Sequence, residues 1–311
     1  MSKNLIDFSN KIVVLAPLAG YTDLPFRSVV KKFGADFTIS EMISSNALAY
    51  NSKKTLKMLK KAPNETPYII QLSANNEDIL IKAVTILNDI DGIDGIDLNC
   101  GCPAPKVYNH GSGSALLHDL KKITKFLQAI KKYSNKTYTS AKIRIGVEEK
   151  IPIEIAKAVE EGGADFISVH GRTKKGAYKA PVDYDAIASI KQNINIPVIA
   201  NGDITNTQKS QEVLKITNAD GVMIGRGAIG KPWIFYQIKN NIDHIDKDIK
   251  KEIILEHFDK MIEFYDEYGV VMFRKHLHTY SKGYGKSSNF RQEINQITNV
   301  KEARALINEF F

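Results

Sequence analysis

The sequence predicts an α/β protein that begins with a TIM (β/α)8 barrel and ends with a small all-helical C-terminal domain. Residues 1–240 alternate short runs rich in Val and Ile with helical patterns, which is typical of βα units around a parallel sheet. Eight such units fit into this stretch, the number that closes a barrel. After Trp233 the apolar residues follow helical spacing only. We therefore expect a barrel domain over residues 1–240 and a helical domain over residues 241–311.

Eight short apolar runs are the predicted strands: Ile12–Leu15, Phe37–Ile39, Tyr68–Leu72, Gly95–Leu98, Thr139–Ile145, Phe166–Val169, Pro197–Ala200 and Gly221–Ile224. Between them lie amphipathic stretches that predict helices: Pro25–Phe33, Ile79–Asp89, Leu120–Lys132, Ile153–Glu161, Tyr184–Gln192 and Thr207–Thr217. A doubly wound sheet is the alternative arrangement. Its best support, the glycines of Gly111–Ala115, follows no predicted strand and lacks the third glycine of a dinucleotide-binding loop.

Composition excludes several classes of protein. The 311 residues are 43% hydrophobic and 25% charged, which is ordinary for a globular chain and excludes a fibrous or wholly disordered one. The longest apolar run is far shorter than a transmembrane helix requires, and the N-terminus is too polar for a signal peptide. We therefore expect a cytoplasmic protein without a membrane partner, with a monomer as the default. The two cysteines, Cys100 and Cys102, cannot form a disulfide scaffold or complete a zinc site, so no metal is expected.

The charge balance is basic, with 43 Lys and Arg against 35 Asp and Glu and a net charge of +8. This is compatible with a nucleic-acid partner. It is equally compatible with a general drift toward lysine, since only seven of the basic residues are arginines: Arg27, Arg144, Arg172, Arg226, Arg274, Arg291 and Arg304. In such a chain each arginine invites a search for a function that needs a planar guanidinium.

The chemically distinctive residues follow the predicted strands, at the end of the barrel where such folds place their sites. These segments are Ala16–Gly20, Ser40–Met42, Gln71, Asn99–Pro103, Lys142 with Arg144, His170–Thr173, Asn201–Asp203 and Gly225–Gly227. A single Gln or His more often makes a local hydrogen bond than binds a ligand. Eight such segments in the same topological place indicate a binding site.

The last two segments indicate the type of ligand. Loops after the seventh and eighth strands commonly bind a phosphate, and here they supply glycines and Arg226. Lys142 and Gln71 suit an electron-rich ring with amide edges. A phosphate at one end and such a ring at the other describe flavin mononucleotide, FMN, although a phosphorylated sugar or amino-acid precursor fits these features equally well.

Cys102 favours the flavin. A Gly-Cys-Pro turn after a strand exposes a thiol at the barrel mouth, and a thiol facing a flavin is suited to donate a proton to a carbanion formed by hydride addition. The alternative is a buried, space-filling cysteine.

Together these motifs resemble the tRNA-dihydrouridine synthase family, most closely its bacterial B-type branch. The matching segments are Ala16–Arg27, Ser40–Met42, Asp97–Pro103, Lys106–Val107, Gly111–Leu117, Lys142–Gly146, His170–Thr173, Ile196–Asp203, Met223–Arg226 and Lys231–Phe235. The resemblance is dense from residue 11 to about residue 237 and looser through the tail. Two positions depart from the family pattern: Leu18 replaces the usual Met, and Cys100 is an additional thiol that we interpret as space-filling.

The resemblance implies an enzyme that reduces uridine in tRNA to 5,6-dihydrouridine, with NADPH as the reductant. Hydride from reduced FMN would reach C6 of the uracil, and Cys102 would protonate C5. Asn99 would hold the uracil edge, and Arg172 would stabilise a carbonyl or a phosphate. FMN would be held by Pro17, Leu18, Ala19, Gln71, Lys142, His170, Asn201, Gly202, Asp203, Gly225 and Arg226.

The tail is assigned in the same way. Residues 271–292 hold five Lys or Arg and no acidic residue, interspersed with aromatic residues. Arg274, Lys275 and His276 resemble the basic segment with which the family's C-terminal domain contacts tRNA. Cations there would meet phosphates while aromatic rings stack on bases. The alternative is a solvated helix and loop.

Two other functions remain open. One is an FMN barrel acting on a free small molecule, such as a dihydroorotate dehydrogenase or an enoate reductase, for which a basic helical tail is unnecessary. The other is a tRNA-binding protein with a vestigial flavin site, against which the near-complete set of FMN positions argues. The sequence does not indicate which uridine is modified.

Overall fold

The computed structural model describes residues 5–311, and these form a closed parallel barrel followed by four helices. The strands are β1 (Ile12–Leu15), β2 (Thr38–Ile39), β3 (Ile43–Ser44), β4 (Tyr68–Ser73), β5 (Gly95–Cys100), β6 (Tyr138–Arg144), β7 (Phe166–His170), β8 (Val198–Asn201) and β9 (Gly221–Ile224). Around the barrel the order is β1, β2, β4, β5, β6, β7, β8 and β9, with β9 pairing back onto β1. The short β3 pairs with β4 beyond β2, so the second barrel strand is interrupted at residues 40–42. The predicted TIM barrel is confirmed.

The helices surround this sheet. Their bounds are α1 (Leu24–Lys32), α2 (Ser45–Ala49), α3 (Lys53–Met58), α4 (Glu77–Asn88), α5 (Pro105–Asn109), α6 (Leu120–Tyr133), α7 (Pro152–Glu161), α8 (Tyr184–Asn193), α9 (Thr207–Thr217) and α10 (Ile234–Asn240). The tail contributes α11 (Lys247–Tyr265), α12 (Tyr268–Tyr280), α13 (Ser287–Ile294) and α14 (Val300–Phe310). Every predicted strand and helix is present, with ends that differ by at most two residues.

Side-chain caps explain where several helices begin. Asp23, Asp119, Asp183 and Asn206 stand before α1, α6, α8 and α9, and each accepts a hydrogen bond from a backbone N–H of the first turn. These bonds satisfy donors that have no partner inside the helix. The chain therefore enters each of these helices at a fixed residue.

The core has separate parts in the barrel and in the tail. Apolar side chains between the strands and the helices form the main barrel core. Phe37, Phe166 and Met223 belong to a second, smaller apolar cluster of the barrel. The tail helices enclose a core of their own around Phe258, Phe273 and other buried residues. Within residues 5–311 no helix is long and apolar enough to span a membrane.

The tail packs against α1 of the barrel. Phe26 on α1 stacks on His276 at a ring-centroid distance of 5.4 Å and also contacts His257 at 5.3 Å. The Tyr265 hydroxyl donates to Asp23 Oδ2 at 3.1 Å. Burial lowers the pKa of His257 to about 3 and holds that of His276 well below its usual value, so both rings are neutral in the folded protein.

Candidate active site

A cavity of about 900 Å³ opens at the C-terminal ends of the barrel strands. Its wall includes Pro17, Gln71, Cys102, Lys142 and Asn201, which come from five different strand ends. The volume is in the range of pockets that bind cofactors and drug-sized ligands, about 300–1,000 Å³. The strand-end segments that look unrelated in the sequence therefore converge on one site.

The loops after β8 and β9 form one side of this cavity. Gly202 has a φ of +138°, and a Cβ atom there would lie 2.8 Å from both methyl carbons of Val182, so only glycine fits. The Asp203 carboxylate accepts hydrogen bonds from Arg172 Nη1 at 3.0 Å, Arg172 Nη2 at 2.5 Å and Arg226 Nη2 at 2.9 Å. The bonds from Arg172 hold the pKa of Asp203 below its usual value. Arg226 is half exposed, with its side chain at the cavity wall.

Lys142 on β6 is a cation of the cavity wall. Its Nζ donates to Asn201 Oδ1 at 3.0 Å, and Asn201 Nδ2 in turn donates to the Met223 carbonyl at 2.7 Å. Among the residues that the structure describes, Asn201 is the ammonium's only hydrogen-bond partner, which leaves its other protons for a ligand. Burial and the neighbouring Arg144 lower the pKa of Lys142 to about 8.

His170, at the end of β7, is a neutral imidazole. Burial and then the charges of Lys142, Arg144, Arg172 and Arg226 lower its pKa to about 2. A ring in this environment can donate one hydrogen bond and accept one but cannot contribute charge at physiological pH. The excess of positive charge around it suits an anionic ligand.

A directed chain of hydrogen bonds crosses the buried strand ends of β4, β5 and β6. Ser140 Oγ and Gln71 Nε2 both donate to the Asp97 carboxylate, at 2.7 and 2.8 Å. Asn99 Nδ2 donates to Gln71 Oε1 at 2.7 Å, and the backbone N–H of Cys102 donates to Asn99 Oδ1 at 2.9 Å. Burial raises the pKa of Asp97 to about 6, so it is ionised at neutral pH. Its carboxylate therefore fixes the orientation of both amides.

Three hydrogen bonds to backbone carbonyls hold the turn that carries Cys102. The Cys102 carbonyl accepts hydrogen bonds from Ser114 N at 3.1 Å and Ser114 Oγ at 2.9 Å, and Arg144 Nε donates to the Gly101 carbonyl at 2.8 Å. Gly113 has a φ of +62°, and a Cβ atom there would lie 2.9 Å from the Cys102 carbonyl oxygen. Cys102 is partly exposed in the cavity, whereas Cys100 points into the core and is fully buried. The turn is thus rigid and presents one thiol to the cavity.

The cavity brings together nearly all the residues predicted from the barrel sequence. It is lined by Pro17, Leu18, Ala19, Gln71, Asn99, Cys102, Lys142, His170, Asn201, Gly202, Asp203, Gly225 and Arg226. Arg172 is the exception. It is 4% exposed, does not line the cavity, and is fully engaged by Asp203 and by the Ala180 carbonyl. Its position therefore supports a role in orienting Asp203 rather than the predicted direct contact with substrate.

The structure corrects the assignment of His276 to an RNA-binding surface. His276 is completely buried between Phe26, His257 and Phe273, because it lies on the apolar face of α12 with Phe273, Leu277 and Tyr280. Helical spacing, not proximity to Arg274 and Lys275 in the sequence, decides which way it faces.

The same correction applies to the aromatic residues expected to stack on bases. Phe273, Tyr280 and Phe290 belong to the tail core. Arg274 is half-buried and its Nη2 donates to the Ile297 carbonyl at 2.8 Å, which ties α12 to the loop before α14. Lys275 lies nearer the cavity, with its Nζ 5.5 Å from the ring centre of Tyr21, a residue of the cavity wall. The His276 ring also meets Tyr21, at a ring-centroid distance of 5.6 Å, but it is buried, so Lys275 is the one of the two whose side chain is partly exposed beside the cavity wall.

Arg144 and Tyr178 are among the residues of the cavity wall that were not assigned a role from the sequence. Arg144 reaches the cavity from β6 and also donates to the carbonyls of Thr173 and Ala177, so it joins the Cys102 turn to the loop after β7. Tyr178 in that loop is 49% exposed and lies 4.3 Å from the Arg226 guanidinium. Because arginine is scarce in this chain, the sequence indicated Arg144 as a residue with a specific function. Nothing in the sequence marked Tyr178, because its position depends on the path of an irregular loop.

Comparisons with known proteins agree on the family. Residues 14–311 match the family described as Dihydrouridine synthase (Dus). The "Probable tRNA-dihydrouridine synthase" of Helicobacter pylori is 52% identical, covering 98% of this chain and 94% of that protein. The "tRNA-dihydrouridine synthase B" of Pseudomonas syringae pv. tomato is 36% identical, covering 96% of this chain and 91% of that protein.

Among solved structures, an old yellow enzyme homologue from Zymomonas mobilis is similar with a TM-score of 0.52 and 13% identity, covering 76% of this chain and 90% of that one. Histamine dehydrogenase from Rhizobium sp. 4-9 gives a TM-score of 0.57 and 11% identity, covering 80% of this chain and 48% of that one. At these identities the two structures support the barrel fold alone. The sequence matches establish more, and the chain belongs to the dihydrouridine synthase family.

Proposed function

We propose that the protein reduces uridine in tRNA to 5,6-dihydrouridine, with FMN bound in the cavity and NADPH as the reductant. The observation that carries this proposal is the rigid turn that holds the Cys102 thiol at the wall of a cationic cavity. Family membership supplies the reaction class. The tRNA substrate would place the activity in the cytoplasm, and a cavity formed within one chain supports action as a monomer.

The side chains of the cavity fit FMN. The loops of Gly202 and Gly225 line the cavity together with Arg226, and their backbone N–H groups and its guanidinium would suit a phosphate. Lys142 has ammonium protons without a protein partner among the described residues, which suits the electron-rich edge of a flavin ring. Gln71 still has one N–H and one lone pair for an amide edge, because Asp97 and Asn99 use only half of its hydrogen-bonding capacity. His170 would contact the cofactor as a neutral ring, and Pro17, Leu18 and Ala19 would pack against it.

In this proposal Cys102 supplies the proton. When bound, the flavin supplies the hydride that reaches C6 of the uracil. The thiol lies on the cavity wall at a fixed backbone position, as proton donation to C5 requires. Asn99, whose Oδ1 is already used by the turn, has one remaining Nδ2–H to donate to a uracil carbonyl. Arg144 and Tyr178 line the same wall and would contact the base that enters.

The target uridine has to leave its stack to reach this cavity. We propose that the barrel, residues 1–240, holds the flavin and carries out the reaction, and that the helices of residues 241–311 help to hold the tRNA. Lys275 supports this division because it lies beside Tyr21 at the cavity wall. Arg172 would act on the phosphate side by holding Asp203.

The proposed function is tested by nucleoside mass spectrometry of tRNA. Purified protein with FMN, NADPH and unmodified tRNA is expected to produce dihydrouridine at defined positions, and tRNA from cells lacking the gene is expected to lose it there. Omission of NADPH is the control. Flavin turnover on a free enone or on dihydroorotate without any change in tRNA would favour the small-molecule alternative. Binding of tRNA with no product at any reductant concentration would favour a binding protein.

Flavin affinity is expected to fall as the pH rises through about 8. The charged form of Lys142 favours an electron-rich ligand, so affinity is complete below its pKa and declines as the ammonium is lost. A hydrogen bond to a charged group contributes about 1.5–3 kcal/mol, which corresponds to a loss of at least roughly tenfold in affinity. Titration of FMN fluorescence from about pH 7 to about pH 9.5 measures it. The Lys142→Met variant should bind weakly at every pH, and an identical pH dependence in that variant would contradict the assignment.

A further inference from the structure

Strand β3 leads into a second basic surface that the sequence analysis did not identify. Residues 42–64 contain five lysines and no acidic residue. Lys53, Lys54, Lys57 and Lys60 are exposed, and no salt bridge to any of them occurs among residues 5–311. Tyr50, between α2 and α3, is 77% exposed, the largest value among the exposed large hydrophobic side chains. We call Tyr50 and these four lysines the α2–α3 surface.

The α2–α3 surface adjoins the mouth of the cavity. Met42 lines the cavity, and Ile43 and Ser44 of β3 pair with the C-terminal end of β4. Helix α2 starts at the next residue, Ser45, so the segment rises from the cavity rim. On its far side Lys57 Nζ lies 4.7 and 5.0 Å from the ring centres of Phe264 and Tyr265 at the end of α11. The surface therefore spans the distance from the cavity to the tail.

Charge limits what this surface can bind. Single exposed tyrosines or lysines are common and imply nothing by themselves. Here an exposed ring stands among lysines that form no salt bridge within residues 5–311, in a stretch without carboxylates. Proteins hold single nucleic-acid strands in this way, with cations on the phosphates and an aromatic ring stacked on a base. The neighbouring residues 241–270, which include α11, carry nine Asp and Glu against four Lys, so this part of the tail is less suited to contact RNA than residues 271–292.

We infer that the α2–α3 surface binds the RNA strand next to the nucleotide that enters the cavity, with Tyr50 stacking on a base and Lys53 and Lys54 contacting phosphates. This inference rests on the proposed function, because it takes the substrate to be RNA. It adds a contact surface on the barrel itself, separate from Lys275 of the tail. A nucleotide drawn into a deep site needs its flanking backbone held at the rim, and the α2–α3 surface lies there.

The test compares charge-matched pairs of variants at opposite ends of the barrel. Lys53→Ala/Lys54→Ala removes two cations from the α2–α3 surface. Lys132→Ala/Lys215→Ala removes two exposed cations from the last turns of α6 and α9, at the other end of the barrel. Tyr50→Ala is matched by Tyr133→Ala, whose ring is 42% exposed at the end of α6. Flavin content and thermal unfolding of each variant confirm that it is folded.

Binding of unmodified tRNA to the full-length, FMN-loaded protein is measured by fluorescence anisotropy over a range of salt concentrations. The Lys53/Lys54 variant is expected to bind roughly tenfold more weakly, with a log–log salt slope smaller by about two. Tyr50→Ala is expected to lose about tenfold in affinity with an unchanged slope. Both controls should match the wild type. Equal losses in the two lysine pairs, or no loss in either, would overturn the inference.

These outcomes are separate from the test of the proposed function, because binding is measured without turnover. A protein that binds tRNA through the α2–α3 surface but forms no dihydrouridine would contradict the proposed reaction and support this surface. A protein that forms dihydrouridine while the Lys53/Lys54 and Tyr50 variants bind as the wild type does would support the reaction and overturn the surface.

Discussion

Replacement of Cys102 by alanine is expected to lower dihydrouridine formation by about 10²–10⁴-fold, the contribution of a positioned general acid. The side chain lies on the cavity wall, and the hydrogen bonds that hold its turn come from the backbone of residue 102, so alanine leaves them in place. Flavin content and tRNA affinity should therefore equal those of the wild type. Single-turnover measurement of dihydrouridine with pre-reduced enzyme separates this step from flavin reduction by NADPH.

Cys100→Ala is the matched control for this experiment. It removes a thiol two residues away that is fully buried and faces the core, so the variant should retain its activity. Burial raises the pKa of Cys100 well above its usual value, which makes it a poor candidate for proton chemistry. Unchanged product formation by Cys102→Ala, or an equal loss in both variants, would remove Cys102 as the proton donor.

Replacement of Glu65 by alanine is expected to lower the free energy of unfolding by about 3–5 kcal/mol, because it leaves a buried guanidinium without its counter-ion. Arg27 and Glu65 are 1% and 0% exposed, with Arg27 Nε donating to Glu65 Oε1 at 2.7 Å. Glu65 also accepts from Thr38 Oγ1 at 2.8 Å and from Ala62 N at 2.6 Å, while Arg27 donates to the carbonyls of Thr22 and Lys60. The pair therefore links α1 and β2 to the loop before β4.

Urea unfolding followed by circular dichroism measures this loss. The control is Glu148→Ala, which breaks a pair with Lys175 in which both side chains are about 70% exposed and the charges are 3.4 Å apart. Exposed pairs of this kind contribute little to stability, so its unfolding midpoint should stay at the wild-type value. A change of less than about 1 kcal/mol for Glu65→Ala would show that solvent or a rearranged neighbour replaces the carboxylate.

Most strands and helices of the barrel could be predicted because each is specified by residues that are adjacent in the sequence. Strands such as Ile12–Leu15 and Gly221–Ile224 are β-branched runs between turn residues, and their predicted ends agree with the structure. Strand β3 and helices α2, α3, α5 and α10 escaped prediction, since elements of two to seven residues contain too few positions to show a period. The cavity residues could be predicted for the related reason that strand ends in a barrel meet in one place.

In the tail, local sequence patterns do not predict which side chains face the solvent. Arg274, Lys275 and His276 are adjacent in the sequence, but α12 turns His276 toward Phe26 of the barrel. The buried face of α12 is the one that packs against α1, which lies near the other end of the chain, and no local sequence pattern shows this contact. The surroundings of Arg172 could not be predicted for the same reason, because they are set by Asp203, 31 residues away on another strand end. Tyr50 and its lysines were missed because α2 and α3 were not recognised as elements at the barrel mouth.

The hydrogen-bond chain from Cys102 to Asp97 has a consequence for conformational uniqueness. Every donor along it points toward a single carboxylate, and an amide at position 97 would be both donor and acceptor. Even with Asp97→Asn the chain would keep its sense, because the backbone N–H groups of Gly101 and Cys102 both donate to Asn99 Oδ1 and would meet the donor Nδ2 if that amide turned over. The sense of the chain is thus set at both ends, by an ionised acceptor beneath the strands and by two backbone donors in the cysteine turn, which gives the turn one conformation instead of two.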